Sequence, residues 1–210
     1  MKGLILKDLY YMKIEGKRLI PMFIVLLIMF FNDKNFNIFT FVIVFYMGML
    51  SIGNIFIEKK NDFNKFIIST PVNKKDIVFG KYIFLNCTVI ITFLILLLLS
   101  KLVLKIDVNI ILKERLIIFA VISILLNLYL FLSLKLENDK VATLFSIITM
   151  GGLVVPAIIF TNHPEEMPVF IKNIFLMNKE KTSVLSMIIY IFFVLLFSIW
   201  SYRDFKNKEF

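Results

Sequence analysis

Residues 82–100, YIFLNCTVIITFLILLLLS, contain no charged side chain. A helix of this length is about 30 Å long, the thickness of bilayer hydrocarbon. The stretch does not alternate apolar and polar positions, as a strand of a membrane barrel would. In lipid the backbone must satisfy its own hydrogen bonds, so the segment reads as a membrane-spanning helix.

Five more apolar runs lie around it: Leu19–Phe31, Phe36–Ile57, Leu116–Leu134, Val141–Phe160 and Ser183–Tyr202. The first is short, and snorkelling by Lys17 and Arg18 or local thinning of the bilayer can make up its length. The composition agrees with a membrane class. The chain is 60% hydrophobic with 24 Phe in 210 residues, and its mean hydropathy is +0.89. A soluble core of this size cannot hide so much apolar surface. The expected fold is an all-α integral membrane protein of six transmembrane helices, forming one membrane domain over residues 1–210 with no repeat and no soluble domain.

Lysine and arginine orient it. Six spans put both termini on one side, and that side carries 16 of the 24 Lys and Arg residues. Such an excess marks the cytoplasmic face, so both termini are expected in the cytoplasm of a multi-pass plasma-membrane protein. The net charge of +9 then reads as a topology signal and an attraction to anionic lipid headgroups. The basic residues are dispersed over separate loops, which disfavours nucleic acid as a partner. No cleavable leader is expected, because charges run through MKGLILKDLYYMKIEGKR without a small-residue cleavage site.

Residues 1–18 suit an interfacial helix. Leu4, Ile5, Leu9, Met12 and Tyr10 can face lipid, while Lys2, Lys7, Asp8, Lys13, Glu15 and Lys17 are expected to stay wet. The fifth run is interrupted by Gly151, Gly152 and Pro156, which predicts a kink. An external segment, 161–182, follows. Its apolar part, Pro168–Met177, is too short to span and is read as a short helix on, or re-entering, the outer leaflet before the last span.

Several chemistries are missing from the sequence. The interiors of the six runs hold no Asp, Glu, Lys, Arg or His, and ion-coupled carriers generally need one for their relay. There is no GxxxxGK[ST] phosphate loop, no HExxH and no GxSxG. The chain is therefore not expected to be an enzyme or to carry a cofactor or metal of its own. Cys87 is the one cysteine and His163 the one histidine, so neither a disulfide within the chain nor a metal cluster is expected. Asn54, Asn86, Thr88, Thr92, Asn127, Thr143 and Thr149 are polar but uncharged. Such residues serve interhelical hydrogen bonding; Asn54, Asn86, Asn127 and Thr149 are also candidates for a substrate path.

One connection is longer than crossing back requires. The turn Asn32-Asp33-Lys34-Asn35 takes four residues, whereas EKKNDFNKFIISTPVNKKDIVFGKY occupies 58–82. Asp62–Ser69 suits a short amphipathic helix with Phe63, Phe66 and Ile67 on one face. Pro71 stops it. Asn73 and Asp76 have capping-box spacing, so a new helix should open there and run through Lys81 into the third span. An apolar face with basic edges, fixed to two spans, suits either a cytoplasmic partner or the lipid surface.

The acid after the second span, followed by STPVNKKDIVFGKY at 69–82, resembles the permeases of the ABC-2 type. Pro71, Val72, Ile77, Val78 and Lys81 match that family's signature stretch, and Thr70 stands where Leu is commoner. The amino-terminal interfacial helix and the external helix before the last span match too. The resemblance implies a coupling region made of Glu58, Asp62, Phe63, Phe66, Ile67, Pro71, Val72 and Lys74, seated on a separate cytoplasmic ABC ATPase. It implies two ATPase copies that bind ATP and Mg, a second permease copy, with a homodimer expected ahead of a heterodimer, and export powered by the partner. Charge-free spans rich in Phe, Met and Ile fit a hydrophobic or amphipathic substrate. The small build is similar to permeases exporting cytolytic or antimicrobial peptides in Gram-positive bacteria. The alternative is a non-transporting membrane scaffold or immunity protein, which has no need of a rigid coupling region.

Overall fold

A computed structural model describes residues 2–18, 36–61, 63, 72–104, 108–151 and 179–207. Six helices stand out among them: α1 Lys2–Arg18, α2 Phe36–Lys60, α3 Lys74–Leu104, α4 Val108–Lys135, α5 Asn138–Thr149 and α6 Lys179–Lys206. The described residues form no strand. Four helices are long and apolar enough to cross a bilayer, through Thr40–Lys60, Lys74–Leu102, Arg115–Lys135 and Lys181–Lys206.

These four coincide with four of the six expected spans. Leu19–Phe31 lies outside the described residues, as does the external segment apart from its last residues, which open α6. Of the fifth run, α5 is described, and its winding loosens into a π-type turn at Met150 and Gly151. That change falls where the glycines predicted a kink. Gly152 and Pro156 are outside the described residues.

The bundle is organised around α4. Phe119, Ile122, Ser123, Leu126, Asn127, Leu130 and Ser133 recur at three- and four-residue spacing, and all are buried. Their stripe packs most extensively against α6, then against α2, α3 and α5. Lipid is as apolar as a leucine side chain, so helices in a bilayer gain by close packing rather than by escaping water. Gly48 of α2 shows how close the approach is. A Cβ built there would lie 2.3 Å from Leu126 Cδ1, so the absent side chain admits α4. Rings fill the remaining space: Phe93 and Phe119 have centroids 4.6 Å apart, and Tyr129 meets Phe145 of α5 at 4.4 Å.

The outward faces remain apolar. Ile83, Ile90, Ile91, Leu94 and Leu98 are exposed on α3, and Ile188, Phe192, Leu195 and Ile199 on α6, as expected of helices bathed in hydrocarbon. Hydroxyls within the spans bond back to the preceding turn. Thr88 donates to the Phe84 carbonyl at 2.9 Å and Thr92 to that of Thr88 at 2.8 Å. These bonds leave fewer polar groups without partners in lipid.

α3 opens where the spacing predicted. The carbonyl of Asn73 accepts the N–H of Asp76 at 2.9 Å and of Ile77 at 3.3 Å. The helix then continues without a break through Lys81 into the apolar stretch. At this lysine-rich end the termini of α2, α3, α4 and α6 are tied together. Lys59 donates to the Leu136 carbonyl, Lys135 pairs with Asp204 at 3.1 Å, and Lys74 donates to the Lys206 carbonyl at 3.3 Å.

Candidate functional site: a buried charge cluster beside the α2–α3 connection

α1 lies against the lysine-rich ends of α2 and α3. Its contact side is not the one expected. Asp8 is only 2% exposed, a correction to the reading that placed it in water. The reason is a set of partners far away in sequence. Tyr11 rests on Gly53, whose missing Cβ would come within 3.2 Å of the phenol oxygen, and this approach brings Asp8 over α2 and α3. Leu6, Leu9, Tyr10 and Ile14 point outward instead. Leu9 and Tyr10 agree with the lipid-facing assignment; Leu4 turns inward and packs against the core.

Four charges and one amide meet there. Lys81 Nζ lies 2.9 Å from Asp8 Oδ1 and 2.6 Å from Glu58 Oε1. Asn54, one helical turn before Glu58, donates to Asp8 Oδ1 at 2.5 Å and to Glu58 Oε1 at 3.1 Å. Lys7 bonds Glu58 Oε1 and stands 3.6 Å from Asp8 Oδ1. Two carboxylates against two ammonium groups make the cluster neutral, and neutrality with full hydrogen bonding is what permits burial of such groups. Glu58 is 6% exposed and Lys81 5%. Burial and the nearby Lys81 charge hold Lys7 below its ordinary value of 10.5, with Glu58 and Asp8 pulling the other way.

The cluster flanks the connection singled out above. Glu58 is in the last turn of α2 and Lys81 is in the second turn of α3, so one ion network grips both ends of that connection. The Phe63 ring faces Lys7, with Nζ 4.1 Å from the ring centroid. Phe63 and Val72 both pack against the core. A small cleft lined by Leu4, Phe63, Ile77 and Gly80 opens beside the charges. Of the proposed coupling residues, Glu58 thus turns into the protein, Phe63 and Val72 lie at the edge, and Lys74 reaches the end of α6. Asp62, Phe66, Ile67 and Pro71 lie outside the described residues.

The four candidates for a substrate path are dispersed. Asn54 belongs to the charge cluster. Asn86 of α3 and Asn127 of α4 form a reciprocal amide pair, 3.1 Å in each direction. Tyr190 of α6 donates to Asn86 Oδ1 at 2.7 Å, and the Tyr82 hydroxyl lies 2.7 Å from Ser201 Oγ. These bonds join α3, α4 and α6 within the apolar region. Thr149, at the end of α5, bonds back to the Phe145 carbonyl at 2.8 Å.

Sequence reasoning missed Asp8 and Lys7. The only trace of them was Asn54 and Glu58 at a four-residue spacing on α2, an inward polar edge that needed a facing charge.

Apolar spanning helices, an amphipathic first helix and a charge-locked end define a helical membrane protein with a specialised connection between two of its spans. Residues 3–203 match the family described as ABC-2 family transporter protein, and the chain belongs to that family. No curated protein and no solved structure matches the chain.

Proposed function

We propose that this chain is the permease subunit of an ATP-driven exporter, coupled to a separate cytoplasmic ABC ATPase through the connection between α2 and α3. Members of the family generally pair with such an ATPase. The observation that carries the reading is the network of Lys81, Glu58, Asp8, Asn54 and Lys7. It makes the two helix ends that flank the connection, together with α1, into one body. A force applied at the connection then reaches both spans instead of being lost in a flexible loop. ATP binding to a closed partner can shift the permease only through a difference in contacts between its two states, and a stiff connection preserves that difference.

The lysine-rich end is cytoplasmic in this reading, in the plasma membrane, with both termini on that side and six spans in all. Two permease copies, most simply identical, work with two ATPase copies that hold ATP and Mg. The substrate is hydrophobic or amphipathic, because the spanning helices offer rings and aliphatic side chains rather than charge. Amphipathic peptides of the cytolytic or antimicrobial kind fit best.

The test is co-purification. The chain is expressed with candidate ABC ATPases and solubilised gently, as wild type and with Phe63 and Phe66 changed to Asp. Association lost in the variant while the permease remains folded supports coupling. Wild-type chain that binds no ATPase returns the scaffold reading to first place. Stimulation of ATP hydrolysis by an amphipathic peptide supports the substrate class, and indifference to all such peptides removes it.

A further inference from the structure

Lys7 stands between two kinds of partner. Below it are the carboxylates of Glu58 and Asp8. Above it is the Phe63 ring, 4.1 Å from centroid to Nζ, well inside the roughly 6 Å over which an ammonium is attracted to a ring face.

The carboxylates have other donors. Asp8 and Glu58 each accept from Lys81 and from Asn54. Besides a second positive charge, Lys7 therefore contributes a hold on Phe63. The ammonium is well placed for this. Its side chain is 30% exposed while that of Glu58 is 7% exposed, so it rises from a fixed, buried anchor to the surface where the ring lies. Partial removal from water strengthens the attraction.

Phe63 comes just after the last turn of α2, at the start of the connection. Phe63 also packs against the core, but without the ammonium that apolar contact alone would hold the ring, and the motion it regained would have to be ordered each time a partner docked, which reduces affinity. A ring already held does not incur that cost.

We infer that Lys7 of α1 is a positioning residue for the partner-docking connection, using its anchor on Glu58 to hold the Phe63 ring in place. This rests on the exporter reading above for the identity of the partner. The positioning of Phe63 stands apart from it and is measured separately.

The experiment has two arms. In the first, W200F and F63W are combined to give a single tryptophan at the start of the connection, and Lys7 is left intact, changed to Met or changed to Arg. Loss of the ammonium in K7M is expected to lower the fluorescence anisotropy and shift the emission, while K7R, which keeps a cation, restores both. Identical anisotropy in all three overturns the positioning. In the second arm, the same Lys7 variants with Phe63 intact are titrated with the ABC ATPase. K7M is expected to bind about fivefold to thirtyfold more weakly, and K7R near wild type.

Melting temperature in detergent is read alongside. Binding by K7M equal to wild type overturns the role in docking. Equal loss in K7M and K7R makes Lys7 merely structural and also overturns it. Absence of binding by the wild type sinks the exporter reading itself and with it the docking role, while the first arm still decides whether Lys7 holds the ring.

Discussion

Lys81 Nζ sits 2.9 Å from Asp8 Oδ1, joining residues 73 positions apart in the chain. Both are almost wholly buried. Their pairing fixes the first helix of the protein to the entry of a spanning helix, and it is one bond of a neutral group of four charges.

Removing one charge should therefore cost more than removing two. K81M leaves two buried carboxylates facing Lys7 alone, and breaking a buried pair from one side destabilises by about 3–5 kcal/mol. The double variant K81M/D8L removes opposite charges together and should recover most of that loss. Thermal unfolding in detergent gives the comparison; if the double variant loses the sum of the single losses, the two residues are not coupled.

The same cluster predicts a response to pH. Lys7 is held below its ordinary 10.5, chiefly by burial. Between the lowered value and 10.5, the unfolded chain binds more protons at Lys7 than the folded one, so the contribution of this group to folding stability rises with pH through that window. The groups facing Lys7 are Asp8, Glu58 and Lys81, with the Phe63 ring above. Melting temperatures across alkaline pH should rise for wild type relative to K7Q, in which that titration is gone. Parallel curves would show that burial of Lys7 does not act on stability.

Gly48 should accept no branched side chain. A Cβ there would lie 2.3 Å from Leu126 Cδ1 and 3.0 Å from its Cγ. G48V is expected to destabilise by about 1–3 kcal/mol through overpacking. Trimming the opposing residue in G48V/L126A should recover part of the loss. A double variant less stable than either single variant would show that α2 and α4 do not meet there as described.

The amide pair in the apolar region should contribute modestly. N127L removes both bonds to Asn86 while Tyr190 still holds its oxygen. Interhelical polar contacts in membranes are worth about 0.6–1.7 kcal/mol, and the unfolding free energy of N127L should fall by that order. A loss beyond about 4 kcal/mol would mean that Asn127 is needed for more than joining α3 to α4.

How much of this was legible in the sequence depends on the range of the interactions. α2, α3, α4 and α6 could be read because a charge-free run long enough to cross lipid has almost no other stable use. The opening of α3 at Asn73 was local turn chemistry and was equally plain. Asp8 was not legible. On an amphipathic helix with neighbouring lysines, a carboxylate reads as solvated, and only Lys81 and Asn54 on other helices make its burial possible. The reciprocal pairing of Asn86 with Asn127 was hidden for the same reason. Both were noted as polar residues in spans, but which helix faces which is not written in either segment alone.

The Asp8–Lys81 pairing also has a consequence for the order in which the protein is made. Asp8 and Glu58 leave the ribosome before Lys81, so for that interval their carboxylates lack their shared ammonium partner. The neutral site against which α1 rests is therefore complete only once the start of α3 has been synthesised.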